Sequence, residues 1–156
     1  ESYNFKNSKL VSDGQSIFFS NNKGEFYSID VKTGVTNWIN DINSNITPSV
    51  TGNLILTVSN SGYLYVLEKK NGNIIRITNL FNNYKVKKRK NINPIGFVLG
   101  NTNLYLTNDD GKMIIADLIT GKITNTVKVS NDFTSKPFIF NKSLFIIRNG
   151  SIIQYN

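Results

Sequence analysis

A phrase that recurs four times in 156 residues, glycines at a fixed distance inside it, and apolar runs of about five residues bounded by turn dipeptides predict one fold class. It is all-β: a β-propeller of four-stranded antiparallel blades, about four per chain. "KGEFYSIDVKTG" (Lys23 to Gly34) returns as "SGYLYVLEKKNG" (Ser61 to Gly72) and "DGKMIIADLITG" (Asp110 to Gly121), and begins again as "NGSIIQYN" (Asn149 to Asn156). The leading glycines, Gly24, Gly62, Gly111 and Gly150, stand 38, 49 and 39 residues apart. Gly34, Gly72 and Gly121 each follow ten residues after a leader.

Each strand of the unit has its own warrant. Ahead of each copy come turn pairs, Asp13-Gly14, Gly52-Asn53, Gly100-Asn101 and Asn141-Lys142, which supply the positive φ that tight hairpins demand. Then follow apolar runs, "SIFFS" (16–20), "LILTV" (54–58), "LYLT" (104–107) and "LFII" (144–147). The run after the leading glycine, with Phe26, Leu64, Met113 and Ile152 beside Tyr27, Tyr65, Ile114 and Ile153, is short, apolar and bounded by glycines. That is a strand buried on both faces, since a helix would need ten or more residues. More polar runs, "VTNWINDI" (35–42), "NIIRITNL" (73–80) and "KITNTVKV" (122–129), complete the unit as outer strands.

Blades are thus expected over 8–42, 47–80, 92–130 and 134–156. Asn156 aligns with Asp30, so the last blade lacks its outer strand, and residues 2–7, "SYNFKN", are the candidate to complete it. Stacked blades explain the two-sided strands, because each sheet is covered by its neighbours, whereas a β-sandwich would give one polar face per strand and no fixed period. Two unprotected end blades lead to the expectation of a homodimer, two chains pairing head to tail into an eight-bladed ring.

Asp30, Glu68 and Asp117 fall six residues after a leading glycine. Short carboxylates there accept turn N–H groups, and the alternative is a ring of carboxylates around a cation.

With 39% hydrophobic and 12% aromatic residues, the chain can bury a core, and no run approaches the roughly 20 apolar residues of a membrane span. The first residues, "ESYNFKNSKL", do not read as a signal peptide. Neither cysteine nor histidine is present. Disulfides, thiolate nucleophiles, Ser-His-Asp triads and the common zinc sites are thereby excluded. The net charge of +8 is scattered over turns except in "YKVKKRK", Tyr84 to Lys90, which lengthens the spacing between the second and third copies. Lys85, Lys87, Lys88, Arg89 and Lys90 are the candidate partner-binding residues, in a loop between blades, where function is often carried. The bland alternative is a solvated basic loop.

The first copy resembles the quinoprotein-type propeller repeat, G-x-[LF]-Y-[AS]-[LI]-D-x-x-T-G-x-x-x-W, at Gly24, Tyr27, Asp30, Thr33, Gly34 and Trp38. Later copies depart: Glu68 and Asn71 replace the Asp and Thr, and Arg76 and Asn125 stand where the tryptophan would be. Two families use this repeat. Quinone-dependent dehydrogenases bind the cofactor and calcium at the ring centre with clustered carboxylates and a base, while here Asp109-Asp110 is the one acidic pair, within a hairpin turn. The plain repeats are more similar to the outer-membrane assembly lipoprotein family BamB, an eight-bladed non-enzymatic scaffold of the Gram-negative periplasm. That resemblance implies no enzyme, no cofactor and no nucleic acid. It also implies protein partners, either the assembly barrel's periplasmic domains or unfolded outer-membrane proteins, at the periplasmic face of the outer membrane. The alternatives are a fragment of a quinone-dependent (PQQ) dehydrogenase or an unassigned propeller interaction module.

Overall fold

The apolar runs become strands, and the glycines sit where the chain reverses. The computed structural model describes residues 7–21, 23–131 and 134–155. It divides into two compact units, Glu1–Ile77 and Thr78–Asn156, with the division falling inside a strand.

Unit 1 carries two antiparallel sheets in simple meander order. Blade 1 comprises β1 (Val11–Ser12), β2 (Ser16–Ser20), β3 (Glu25–Asp30) and β4 (Thr36–Asp41). Blade 2 comprises β5 (Ser49–Thr51), β6 (Leu54–Val58), β7 (Tyr63–Glu68) and β8 (Ile74–Asn79), whose last residues fall in unit 2. Unit 2 opens with a single helical turn, α1 (Val86–Arg89), and continues into blade 3: β9 (Pro94–Leu99), β10 (Asn103–Asn108), β11 (Lys112–Asp117) and β12 (Ile123–Lys128). Blade 4 has three strands among the described residues, β13 (Phe138–Phe140), β14 (Ser143–Arg148) and β15 (Ser151–Tyr155), so β15 is an edge. The all-β propeller blade expected from the repeat is the unit observed.

Period-2 alternation assigns each blade two faces. In blade 1, Phe18, Phe26 and Ser28 are buried toward blade 2, while Ile17, Phe19, Tyr27 and Ile29 on the opposite face are only half-buried. Phe18, Phe26 and Ile42 meet Ile55 and Leu67 of blade 2 in one apolar cluster. Trp38 of β4 closes it, its ring 5.9 Å from Phe26 and stacked at 11°. Its Nε1 donates to the Lys69 carbonyl at 3.0 Å, and the Asn40 amide donates to the Gly72 carbonyl at 2.8 Å. Gly72 must be glycine for two reasons: its φ is +74°, and a Cβ would lie 2.6 Å from Trp38 Cδ2. In unit 2, Met113 and Val129 pack against Leu144 and Ile146 of blade 4. Asn125 holds the Trp38 position there and is exposed, and a cavity of about 880 Å³ remains among Tyr105, Met113, Ile115, Val127, Leu144 and Tyr155.

Polar bonds fix the connections between blades. The buried Ser20 hydroxyl donates to the Ser44 carbonyl at 2.9 Å, and the Ser44 hydroxyl to the Val58 carbonyl at 2.6 Å. Unit 2 repeats the device, with the Thr107 hydroxyl donating to the Ser135 carbonyl at 2.9 Å. Ser20 and Thr107 both stand four residues before a leading glycine.

Some local expectations need revision. The β13–β14 hairpin turns through Asn141 and Lys142 at φ 48° and 65°, as the dipeptide predicts. The β9–β10 turn does not: neither Gly100 nor Asn101 has positive φ. That loop is wider, closed by Gly100 N–H donating to the Asn103 carbonyl at 2.8 Å, so the left-handed backbone of a two-residue turn is not required. Of the 2–7 segment proposed for the last blade, residues 2–6 lie outside the described residues. Asn7 forms an antiparallel bridge with Asn21 in blade 1, the counterpart of Thr134 with Arg148 in blade 4.

Two predictions test this framework. Gly34→Ala, where an added Cβ meets nothing within 4 Å but φ is +70°, will cost about 1–2 kcal/mol in urea unfolding. Gly72→Ala will cost at least about 1 kcal/mol more through overpacking against Trp38. The second concerns acid. Asp13 receives the Lys69 ammonium at 2.8 Å. That bond, with the N–H groups of Ser16 and Gln15, lowers its pKa from 3.8 to about 2. A depressed carboxylate stabilises fully above its unfolded value and loses that contribution as pH falls toward about 2. Asp13→Asn will therefore lower stability at neutral pH and flatten the acid limb, its curve meeting that of the wild type as pH falls toward about 2, read by denaturant melts at stepped pH.

Candidate functional site

The basic stretch between blades 2 and 3 is a built structure, and its foundation is apolar. Leu80 and Phe81 are fully buried, Tyr84 and Ile92 nearly so. Phe81 and Tyr84 meet edge to face with ring centroids 5.4 Å apart. Polar groups of blade 3 grip the Tyr84 side chain. Its hydroxyl donates to Asp110 Oδ1 at 3.2 Å and accepts from the Asn108 amide at 3.3 Å, while Lys112 Nζ lies 4.7 Å above the ring and 3.6 Å from Asp110. Burial, then the Asp110 charge, push the Tyr84 phenol far above its ordinary range. At the other end of the stretch, Asp109 accepts from the Asn93 backbone N–H at 2.8 Å and its side-chain amide at 2.7 Å.

On that base, α1 divides the five cations into two kinds. Arg89 turns inward: its Nε donates to the Tyr84 carbonyl at 3.0 Å and Nη2 to the Asn82 carbonyl at 2.9 Å. A planar guanidinium suits this, bridging two carbonyls that the single turn leaves open. Lys85, Lys87, Lys88 and Lys90 point to solvent, and no carboxylate pairs with them among the described residues. Val86 stands among them, 71% exposed. The structure thus gathers four of the five predicted residues into one outward cluster and makes the fifth its brace. Phe81, Tyr84 and Ile92, which hold the cluster, were legible only as an aromatic pair three apart ahead of the basic run. A recess of about 350 Å³ adjoins it, lined by Asn83, Tyr84, Lys112 and residues 123–126 of β12.

The repeat carboxylates are engaged locally. Asp30 Oδ1 accepts from Lys32 N, Thr33 N and the Thr33 hydroxyl at 2.8–3.0 Å. Asp117 Oδ1 accepts from Thr120 N and its hydroxyl at 2.7 Å, and Glu68 accepts from the Asn71 amide at 2.7 Å. Each closes its own turn, so no two converge on one point. Among the described residues no group of three or more carboxylates is placed to hold a metal ion. The described residues therefore do not gather the clustered oxygen ligands that a calcium–quinone site needs.

Stacked four-stranded antiparallel blades with a turn carboxylate per repeat define a β-propeller of the quinoprotein-repeat class. Within that class, the family profile described as "Outer membrane protein assembly factor BamB" matches residues 1–78, half of the chain, and the chain belongs to that family. No curated protein matches it significantly. Among solved structures it is similar to BamB from Moraxella catarrhalis (14% identity, TM-score 0.72, covering 94% of this chain and 41% of that one). It is also similar to the computationally designed Ika4 protein (13% identity, TM-score 0.77, 99% and 93%) and the designed Ika8 protein (13% identity, TM-score 0.75, 94% and 44%). At such identities the likeness is one of fold, and the chain spans about two fifths of the Moraxella BamB chain.

Arg89→Ala will loosen the loop while sparing the blades. Amide exchange over residues 82–92 is expected to quicken about fivefold, equivalent to about 1 kcal/mol of local stability, with β10 and β11 unchanged. Arg89→Lys, lacking the fork, will not restore protection.

Proposed function

We propose that this chain is a non-enzymatic propeller scaffold that binds proteins in outer-membrane β-barrel assembly, at the periplasmic face of a Gram-negative outer membrane. The location and pathway rest on membership of the BamB family. The mode of binding rests on one observation: four lysines are held outward on a braced helical turn with no acidic partner among the described residues. Ammonium groups so displayed attract an acidic face by long-range charge, chiefly raising the association rate and fixing orientation. The rigid base means that little ordering entropy is lost on docking. The catalytic alternative requires a metal cluster or an acid–base pair, whereas Asp30, Glu68 and Asp117 each close a turn and Asp109 and Asp110 hold the base of the basic loop.

Capture of the assembly barrel's periplasmic domains tests this reading, with the wild-type chain compared against the variant in which Lys85, Lys87, Lys88 and Lys90 are all Ser and Arg89 is kept. Affinity is expected to fall at least about tenfold and to lose most of its salt dependence. Equal retention of both chains, with equal salt slopes, would overturn the role of the lysines; no retention of either would overturn the assembly role.

A further inference from the structure

The recess between blades 3 and 4 lies wholly within unit 2, and its walls repeat, ladder position by ladder position, those that hold an indole in unit 1. Phe18, Ser28 and Trp38 stand opposite one another across blade 1, and Tyr105, Ile115 and Asn125 hold the same three places across blade 3. Met113 takes the place of Phe26, two residues after the leading glycine. On the facing blades, Val50, Ile55 and Leu67 are matched by Ile139, Leu144 and Tyr155. The filler differs. Trp38 has its ring centroid 5.9 Å from that of Phe26 and 6.2 Å from that of Phe18. Asn125 instead turns back to accept from the Thr126 N–H at 2.8 Å, and about 880 Å³ stays open, a size suited to a small ligand.

Charge at the rim differs as well. In unit 1 the Asp13 carboxylate of the β1–β2 turn meets the Lys69 ammonium of blade 2 at 2.8 Å. Gly100 holds the position of Asp13, eleven residues before its leading glycine, and the absence of a Cβ leaves room for the Tyr105 ring, whose Cε2 would lie 3.0 Å from one. Lys142, exposed on the β13–β14 turn, lines the recess with Asn101 and Thr102 and has no carboxylate partner among the described residues. Residues 134–156 include no acid, and Asp117 is held in its own turn by Thr120. The floor is therefore apolar, with Met113 and Leu144 buried, and the rim is polar and cationic.

We propose that this recess binds a small aromatic carboxylate, its ring seated among Tyr105, Met113 and Leu144 and its carboxylate at Lys142. The ring takes the place that the other unit gives to an indole, and the carboxylate supplies the charge that Gly100 lacks. A tyrosine ring and a thioether both favour an aromatic neighbour. The exposed ammonium orients the ligand and adds a smaller share of the affinity.

Titration of the full chain with indole-3-acetate, followed by backbone amide shifts in NMR, is expected to saturate with a Kd below about 1 mM and to move Tyr105, Ile115 and Tyr155. Asn125→Trp, which supplies the indole from the chain itself, is expected to weaken binding at least about tenfold while raising the unfolding midpoint. Lys142→Gln is expected to weaken indole-3-acetate about fivefold and to leave the neutral 3-methylindole unchanged. No saturable shift in the wild-type chain, or shifts confined to residues outside blades 3 and 4, would overturn the site. Equal weakening of both probes by Lys142→Gln, or of neither, would overturn the carboxylate's place in it. Should Asn125→Trp lose the amide dispersion of the folded chain, the Lys142→Gln comparison still decides. The lysines of the basic loop take no part, so failure of the scaffold reading leaves this result unaffected.

Discussion

A strand that is apolar on both faces cannot be satisfied by its own sheet. Hydrogen bonding to neighbouring strands covers its edges and leaves its faces bare, so the next sheet must supply the cover. Everything else follows from that requirement. It explains why each blade is followed by another of the same design, why the connections between blades 1 and 2 and between blades 3 and 4 are fixed by buried hydroxyls, and why glycine stands where a neighbour's side chain presses on a turn. The contact of Trp38 with Gly72 is the requirement at its most specific. One blade contributes an indole, the next contributes the absence of a Cβ, and two hydrogen bonds to the Lys69 and Gly72 carbonyls hold the pair in register.

The two units meet the same requirement to different degrees. In unit 1 the indole fills the space between sheets. In unit 2 its position holds the exposed Asn125, and a solvent-open recess of about 880 Å³, lined by Asn101, Thr102 and Lys142 as well as by apolar side chains, adjoins the packing of blade 3 on blade 4. Among the described residues β15 is the edge strand of blade 4.

Much of this was legible in the residues alone, because it is periodic. Paired glycines, apolar runs and turn dipeptides fixed the number and type of strands, and Asn141-Lys142 turns as such a pair should. The wider loop at Gly100 was not legible, since loop width depends on where the ladder ends, and no single residue states that. The hydroxyls of Ser20 and Thr107 were hidden for another reason: a serine or threonine amid apolar residues looks the same whether it reaches a carbonyl 24 or 28 positions away or none. At the basic loop the sequence disclosed the cations but not their division. Nothing in "KVKKRK" separates Arg89 from its neighbours until the carbonyls of Asn82 and Tyr84 are in place around it.

The division bears on what the surface can do. Across Thr78–Asn156 eleven cations face four acids, against seven and six in the other unit. Three of those four acids, Asp109, Asp110 and Asp117, are engaged by Asn93, by Tyr84 and Lys112, and by Thr120. These three carboxylates therefore close a turn and anchor a loop, and the charge at the basic loop without a carboxylate partner among the described residues is ammonium. Exposed ammonium groups are effective at drawing in an opposite charge from a distance. A fold that assigns its acids to architecture and its exposed cations to a braced loop is equipped for recognition, and that physical asymmetry is the ground for reading this propeller as a scaffold.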